Sequence, residues 1–166
     1  ARIAVQDFDG TGHKYLTAGD EPVMTPLWSP TGDQIAYTSL AGGQLHVRLI
    51  DPASGDNRPL RTDGSISFAP SYSPDGSQIL ISSALSGNTD LQLVDVATGK
   101  KQAVRGVPTV KVEGQGGLGD VVVHPDFAGN GRVYLSFVEP GPNGTSGAAI
   151  GYGRLLFTGP AVPGGP

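Results

Sequence analysis

The sequence predicts an all-β fold of four-stranded antiparallel blades, the arrangement of a β-propeller. Three observations carry the prediction. First, the stretch Trp28-Ser29-Pro30-Thr31-Gly32-Asp33-Gln34-Ile35-Ala36-Tyr37-Thr38-Ser39 returns 44 residues later as Tyr72-Ser73-Pro74-Asp75-Gly76-Ser77-Gln78-Ile79-Leu80-Ile81-Ser82-Ser83. A period of roughly 40–45 residues with four short strands per unit marks propeller blades. Second, each copy joins a Ser-Pro-x-Gly turn, in which Pro fixes φ and Gly accepts φ > 0, to an apolar run suited to a buried strand. Third, Gly and Pro are abundant, 26 and 14 of 166 residues, yet they fall at turns between apolar runs. That pattern excludes a disordered low-complexity chain.

The elements follow in order. Ile3-Ala4-Val5-Gln6-Asp7 places Asp7 one period before Asp51, so the chain opens at the third strand of a blade, with strands over Arg2–Asp7 and Lys14–Leu16. Inner strands are expected near Met24–Trp28, Ala69–Tyr72 and Gly119–His124. Second strands are expected near Gln34–Ser39, Gln78–Ser83 and Arg132–Val138. Trp28 and Tyr72 each end an inner strand and are expected to pack against a neighbouring blade. The run Gln44–Asp51 alternates Leu45, Val47 and Leu49 with His46 and Arg48, as a half-buried strand should, and returns as Asn88–Asp95. Asp51 and Asp95 open turns and are read as side-chain caps rather than metal ligands.

The register then breaks. The next counterpart of Pro74 is Pro125, 51 residues on, and glycine rises from 11 in residues 1–105 to 15 in residues 106–166. Thr109-Val110-Lys111-Val112 reads as a short strand, Gly119–Val138 as strand, Pro turn and strand, and Ala148–Phe157 as a last strand. The expected organisation is a half-blade and two blades over 1–105, a further blade over 106–157, and a Pro/Gly tail over 158–166. That makes about three blades per chain and an incomplete ring.

Composition limits the function. A net charge of −4 without a Lys/Arg cluster argues against a nucleic-acid surface. No apolar run approaches 18 residues and no signal peptide is present, so no membrane insertion is expected. The absence of cysteine removes disulfides, thiolate nucleophiles and Cys-zinc sites.

Two resemblances attach to these residues. Residues 1–105 resemble the TolB propellers of the Tol-Pal system, on the paired Trp28/Tyr72-Ser-Pro-x-Gly turns, the Ser82-Ser83…Asn88-Thr89-Asp90-Leu91-Gln92-Leu93 run and the Asp95…Thr98-Gly99 turn. Residues 107–157 resemble the PQQ-dependent soluble aldose sugar dehydrogenases, on Gly114-Gln115-Gly116-Gly117-Leu118, Asp120-Val121, His124-Pro125-Asp126-Phe127 and Gly151-Tyr152-Gly153-Arg154-Leu155. Both families are periplasmic. A chain that changes family in mid-propeller reads as a hybrid of artificial origin, joined near Arg105 to Val107.

The second resemblance implies that Gln115 faces a PQQ and sugar pocket. The family's catalytic histidine is followed by Gly-Gly, a context that His13, His46 and His124 all lack. The lysine and arginines that hold the quinone come from blades outside this sequence. Without base and anchors no hydride transfer follows, so no enzyme and no cofactor is expected, PQQ entering only through the dehydrogenase reading. His124 reads as a packed strand-end residue, His46 as solvated, His13 as a turn residue, and the three lack metal-ligand spacing. Ser71, Ser73, Ser82, Ser83 and Ser86 lack a nucleophile-elbow context. Asp75 and Asp126 are expected to bond nearby backbone N–H groups, and Asn143-Gly144-Thr145 reads as a turn.

The favoured expectation is a non-catalytic hybrid scaffold. The alternatives are a TolB-like module that binds a Pal-like lipoprotein and a PQQ-dependent sugar dehydrogenase remnant. Unpaired sheet edges recruit other chains. A homo-dimer is therefore expected, in which the N-terminal strands of one copy complete the C-terminal blade of another.

Overall fold

The computed structural model describes residues 1–60, 66–85, 88–112 and 117–156. Their strands form antiparallel sheets in chain order. The half-blade pairs β1 (Ala4–Val5) with β2 (Lys14–Tyr15). Blade 1 runs β3 (Val23–Trp28), β4 (Ile35–Ala41), β5 (Gln44–Ile50) and β6 (Asn57–Pro59). Blade 2 runs β7 (Ile66–Tyr72), β8 (Gln78–Leu85), β9 (Asn88–Asp95) and β10 (Lys101–Ala103). Blade 3 has three strands, β11 (Leu118–Val123), β12 (Arg132–Pro140) and β13 (Ser146–Arg154). The expected inner and second strands are all present.

The repeat extends to single hydrogen bonds. The N–H of Ser29 donates to Gln34 O at 2.7 Å and that of Ser73 to Gln78 O at 2.9 Å, closing the two Ser-Pro turns. Gly32 and Gly76 sit there at φ 75° and 73°, the left-handed region that a side chain resists. Each inner strand carries a bulge, between Met24 and Leu27, Phe68 and Ser71, and Leu118 and Val121. In the first two the bulge holds Pro26 and Pro70, which have no N–H for a ladder.

The sheets pack face to face through three apolar clusters. Ala36, Val47, Leu49 and Leu60 form the forward face of blade 1 and meet Tyr72, Ile79, Ile81 and Val94 of blade 2. One period on, Leu80, Leu91, Leu93 and Val104 meet Val133 and Leu135 of blade 3. One period back, Ile3, Val5 and Leu16 meet Ile35, Tyr37 and Ile50. Both faces of β4 and β8 are therefore buried, which is why their sequences read as continuous apolar runs rather than alternating ones.

Four expectations need correction. Trp28 ends β3 but is 49% exposed, whereas Tyr72 is 4% exposed. Tyr72 lies against blade 1, while the sheet before Trp28 has only the outer strands β1 and β2. Thr109–Val112 is not a strand, although Lys111 N–H donates to Val138 O at 2.8 Å. The last strand runs Ser146–Arg154, earlier than Ala148–Phe157, because its ladder with β12 begins at Pro140↔Ser146 and ends at Arg132↔Arg154. The Pro125 turn contains a one-turn helix, α1 (Phe127–Asn130), anchored by buried Phe127 and closed by Gly131 at φ 61°. The tail 158–166 lies outside the described residues.

Candidate functional site

The polar groups of this chain concentrate at two places, the turns between strands and the seams between blades. Asp51 accepts the N–H of Ala53 at 2.7 Å and the hydroxyl of Ser54 at 2.8 Å. Its counterpart Asp95 accepts the N–H and the hydroxyl of Thr98, each at 2.7 Å. Asp33 takes the hydroxyls of Thr31 at 2.6 Å and Ser29 at 2.8 Å. Asp75 takes Ser73 Oγ at 2.6 Å and the Ser77 N–H at 3.1 Å. The caps expected at Asp51, Asp75 and Asp95 are thus formed.

The serine and threonine hydroxyls hold the Asp33, Asp51 and Asp95 carboxyls below the ordinary carboxylate value of 3.8. Each is depressed in the folded chain, so each contributes stability above the unfolded value and loses it as pH falls through the folded one. Burial pushes the Tyr72 phenol above its ordinary 10.0, with Asp33 adding to the rise. Its contribution is full below pH 10.0 and is lost as pH rises beyond that. Urea midpoints are expected to hold between these limits and to fall at both extremes. The acid fall is expected to become shallower in Asp51→Asn, which keeps an acceptor without the titration.

His124 is half-buried at the end of β11. Its Nδ1 accepts the N–H of Asp126 at 2.9 Å, with Asn130 Nδ2 also at 2.9 Å, and its ring stacks on Tyr134 with centroids 6.0 Å apart. A backbone donor fixes Nδ1 as an acceptor, so this nitrogen shapes the Pro125 turn. Asp126 corrects an expectation: its own N–H bonds His124, and its carboxylate caps no helix N–H. His46 is half-buried rather than freely solvated. His13 is exposed beside Tyr15, edge to face at 4.7 Å. Among the described residues no three His, Asp or Glu side chains gather to hold a metal. Asn143 and Gly144 form a turn in which Thr145 Oγ1 donates to Pro142 O at 2.7 Å. Gln115, with Gly114 and Gly116, lies outside the described residues, as does Ser86.

The seams carry polar signals that the sequence analysis missed. Val47 N–H donates to Ser67 Oγ at 3.1 Å, and Val123 N–H to Ser71 Oγ at 3.3 Å. Tyr72 Oη donates to Gln34 Oε1 at 3.2 Å. Lys14 Nζ reaches Pro52 O at 3.0 Å and Arg58 Nη2 reaches Val96 O at 3.1 Å, equivalent bonds one period apart. A small hydroxyl repeated beside apolar strand residues was the available clue. Between blades 2 and 3 lies a cavity of about 780 Å³, floored by Leu91, Leu93, Val133 and Leu135. It exists because β13 places Gly151 and Gly153 on the face where β9 carries Gln92 and Val94. Among the described residues no carboxylate or imidazole lines it.

The model of the TolB beta propeller domain matches residues 1–115. The chain belongs to the TolB β-propeller family. Tol-Pal system protein TolB of Ruegeria sp. is 40% identical over 68 residues, 40% of this chain and 15% of that protein. Aldose sugar dehydrogenase YliI of Escherichia coli is 58% identical over 50 residues, 30% of this chain and 14% of that protein. The TolB-type chain thus spans about one seventh of the length of these relatives. TolB of Acinetobacter baumannii superposes with a TM-score of 0.67 at 21% identity over 95% of this chain and 38% of its own, a likeness of fold. Both resemblances read from the sequence, TolB and aldose sugar dehydrogenase, are found here, each over part of the chain.

Proposed function

We propose that this TolB-like propeller fragment is a hybrid scaffold of artificial origin, without catalytic activity, which offers surface for association with a second copy of itself. The observation that carries the reading is where the polar side chains stand. The carboxylates of Asp33, Asp51, Asp75 and Asp95 are committed to turns, and His124 Nδ1 is committed to the backbone of its own turn. None of these faces the cavity between blades 2 and 3. Hydride abstraction from a sugar needs a base within reach of the hydroxyl it deprotonates. The hybrid reading rests on two sets of relatives, TolB over 40% of the chain and an aldose sugar dehydrogenase over 30%. Incubation with PQQ, glucose and a dye acceptor is expected to give no turnover above a protein-free blank. Appreciable turnover would replace the scaffold with a dehydrogenase remnant.

A second reading is favoured by the match over residues 1–115: a periplasmic module that binds a Pal-like lipoprotein, as the Tol-Pal name of the relatives suggests. Immobilised chain is expected to retain no Pal beyond the bare matrix. Saturable capture would favour the binding module instead.

A further inference from the structure

We propose that the free edge of β13 pairs with the same edge of a second copy, joining two blades into one six-stranded sheet about a two-fold axis. The inference rests on the self-association proposed above and names the strand that makes it.

In blades 1 and 2 the third strand, β5 or β9, is covered by a short fourth strand, β6 or β10. Among the described residues β13 has no such cover. β13 is nine residues long and carries no Pro, Asp, Glu or Lys, the features that ordinarily block edge pairing. Ile150 and Tyr152 on it are 85% and 71% exposed.

The backbone is set for this pairing. Leu155 N–H donates to Gly131 O at 2.7 Å and Gly141 N–H to Thr145 O at 2.8 Å, at the two ends of the β12–β13 ladder. Antiparallel bonding alternates, so the odd-numbered residues of β13 bond β12. The polar backbone groups of Ser146, Ala148, Ile150, Tyr152 and Arg154 point to the free edge. Ile150 is the central residue. A two-fold axis there sets Ile150 against its mate, Ala148 against Tyr152, and Ser146 against Arg154. Small residues face large ones, and the two arginines stand at opposite ends. The closed symmetry limits growth to a dimer.

Exchange of the N-terminal strands fits less well. Blade 3 already holds three strands, and β1 with β2 would bring five to a four-stranded unit. By the 44-residue repeat β1 corresponds to β5, the third-strand position that β13 occupies.

Light scattering on the full chain is expected to give twice the chain mass of 17.0 kDa. Ile150→Pro removes the central outward N–H and no bond to β12, and is expected to halve that mass with an unchanged circular dichroism spectrum. The chain has no cysteine, so Ile150→Cys is a clean reporter. Opposed Cα atoms of a hydrogen-bonded pair lie ~5.5 Å apart, within disulfide reach. Mild oxidation is expected to yield a covalent dimer from Ile150→Cys and none from Ser146→Cys. A mass of 17.0 kDa at all concentrations would overturn the dimer and the edge together. A doubled mass that survives Ile150→Pro but is lost on deleting residues 1–19 would overturn the edge alone and assign the contact to the N-terminal strands. Equal cross-linking of both cysteine variants would overturn the register.

Discussion

Ile81→Ala is expected to destabilise the chain by about 2–5 kcal/mol, the range for deleting a fully buried aliphatic side chain that leaves a cavity. Ile81 has no exposed surface and packs with Val47, Leu49, Ile79 and Val94 at the seam of blades 1 and 2. Its neighbours belong to two sheets whose strands are fixed by ladders, so the space cannot close cheaply. The melting temperature is expected to fall by ~4–20 °C, at about 2–4 °C per kcal/mol for a chain of this size. Met24→Ala, on the exposed part of β3, is the comparison and is expected to stay within about 0.5 kcal/mol. An Ile81→Ala loss no larger than that of Met24→Ala would mean that the seam is not packed as described.

Ser67→Ala is expected to cost about 1–3 kcal/mol, out of proportion to the single oxygen removed. Ser67 is fully buried, and its Oγ accepts the Val47 N–H across the seam. Without it a buried backbone donor loses its partner, and the penalty is that donor's desolvation. Ser54→Ala, in an exposed turn, supplies the contrast. Chemical denaturation of the two variants separates the cases, and equal midpoints would contradict a buried donor at Val47.

Most of the blade architecture was legible because turn chemistry is local. Ser29-Pro30 and Gly32 demand their conformation whatever surrounds them, and the strand after them must be apolar on both faces once blades stack. The period of 44 residues then carries the pattern to Asp7, Asp51 and Asp95. What failed depends on neighbours that no local rule contains. Trp28 and Tyr72 hold the same place in the repeat, yet one is exposed and the other buried, because a whole sheet stands before Tyr72 and only β1–β2 before Trp28. Helix α1 was hidden because Gly129-Asn130-Gly131 reads as loop; buried Phe127 stabilises the turn from beneath. Of the site, the aspartate caps were legible as turn signals. The bonds from Val47 to Ser67 and from Val123 to Ser71 were not, since they join residues 20 and 52 positions apart.

The forward faces described above also set what a neighbour must supply. Leu80, Leu91, Leu93 and Val104 present blade 3 with the same four places that Ala36, Val47, Leu49 and Leu60 present to blade 2, one period earlier. Blade 2 answers with Ile79, Ile81 and Val94, and blade 3 with Val133 and Leu135, in a differently written sheet. The seam therefore works as a socket that specifies spacing and apolar character rather than particular side chains. A change within one blade therefore has to satisfy only the neighbour it touches.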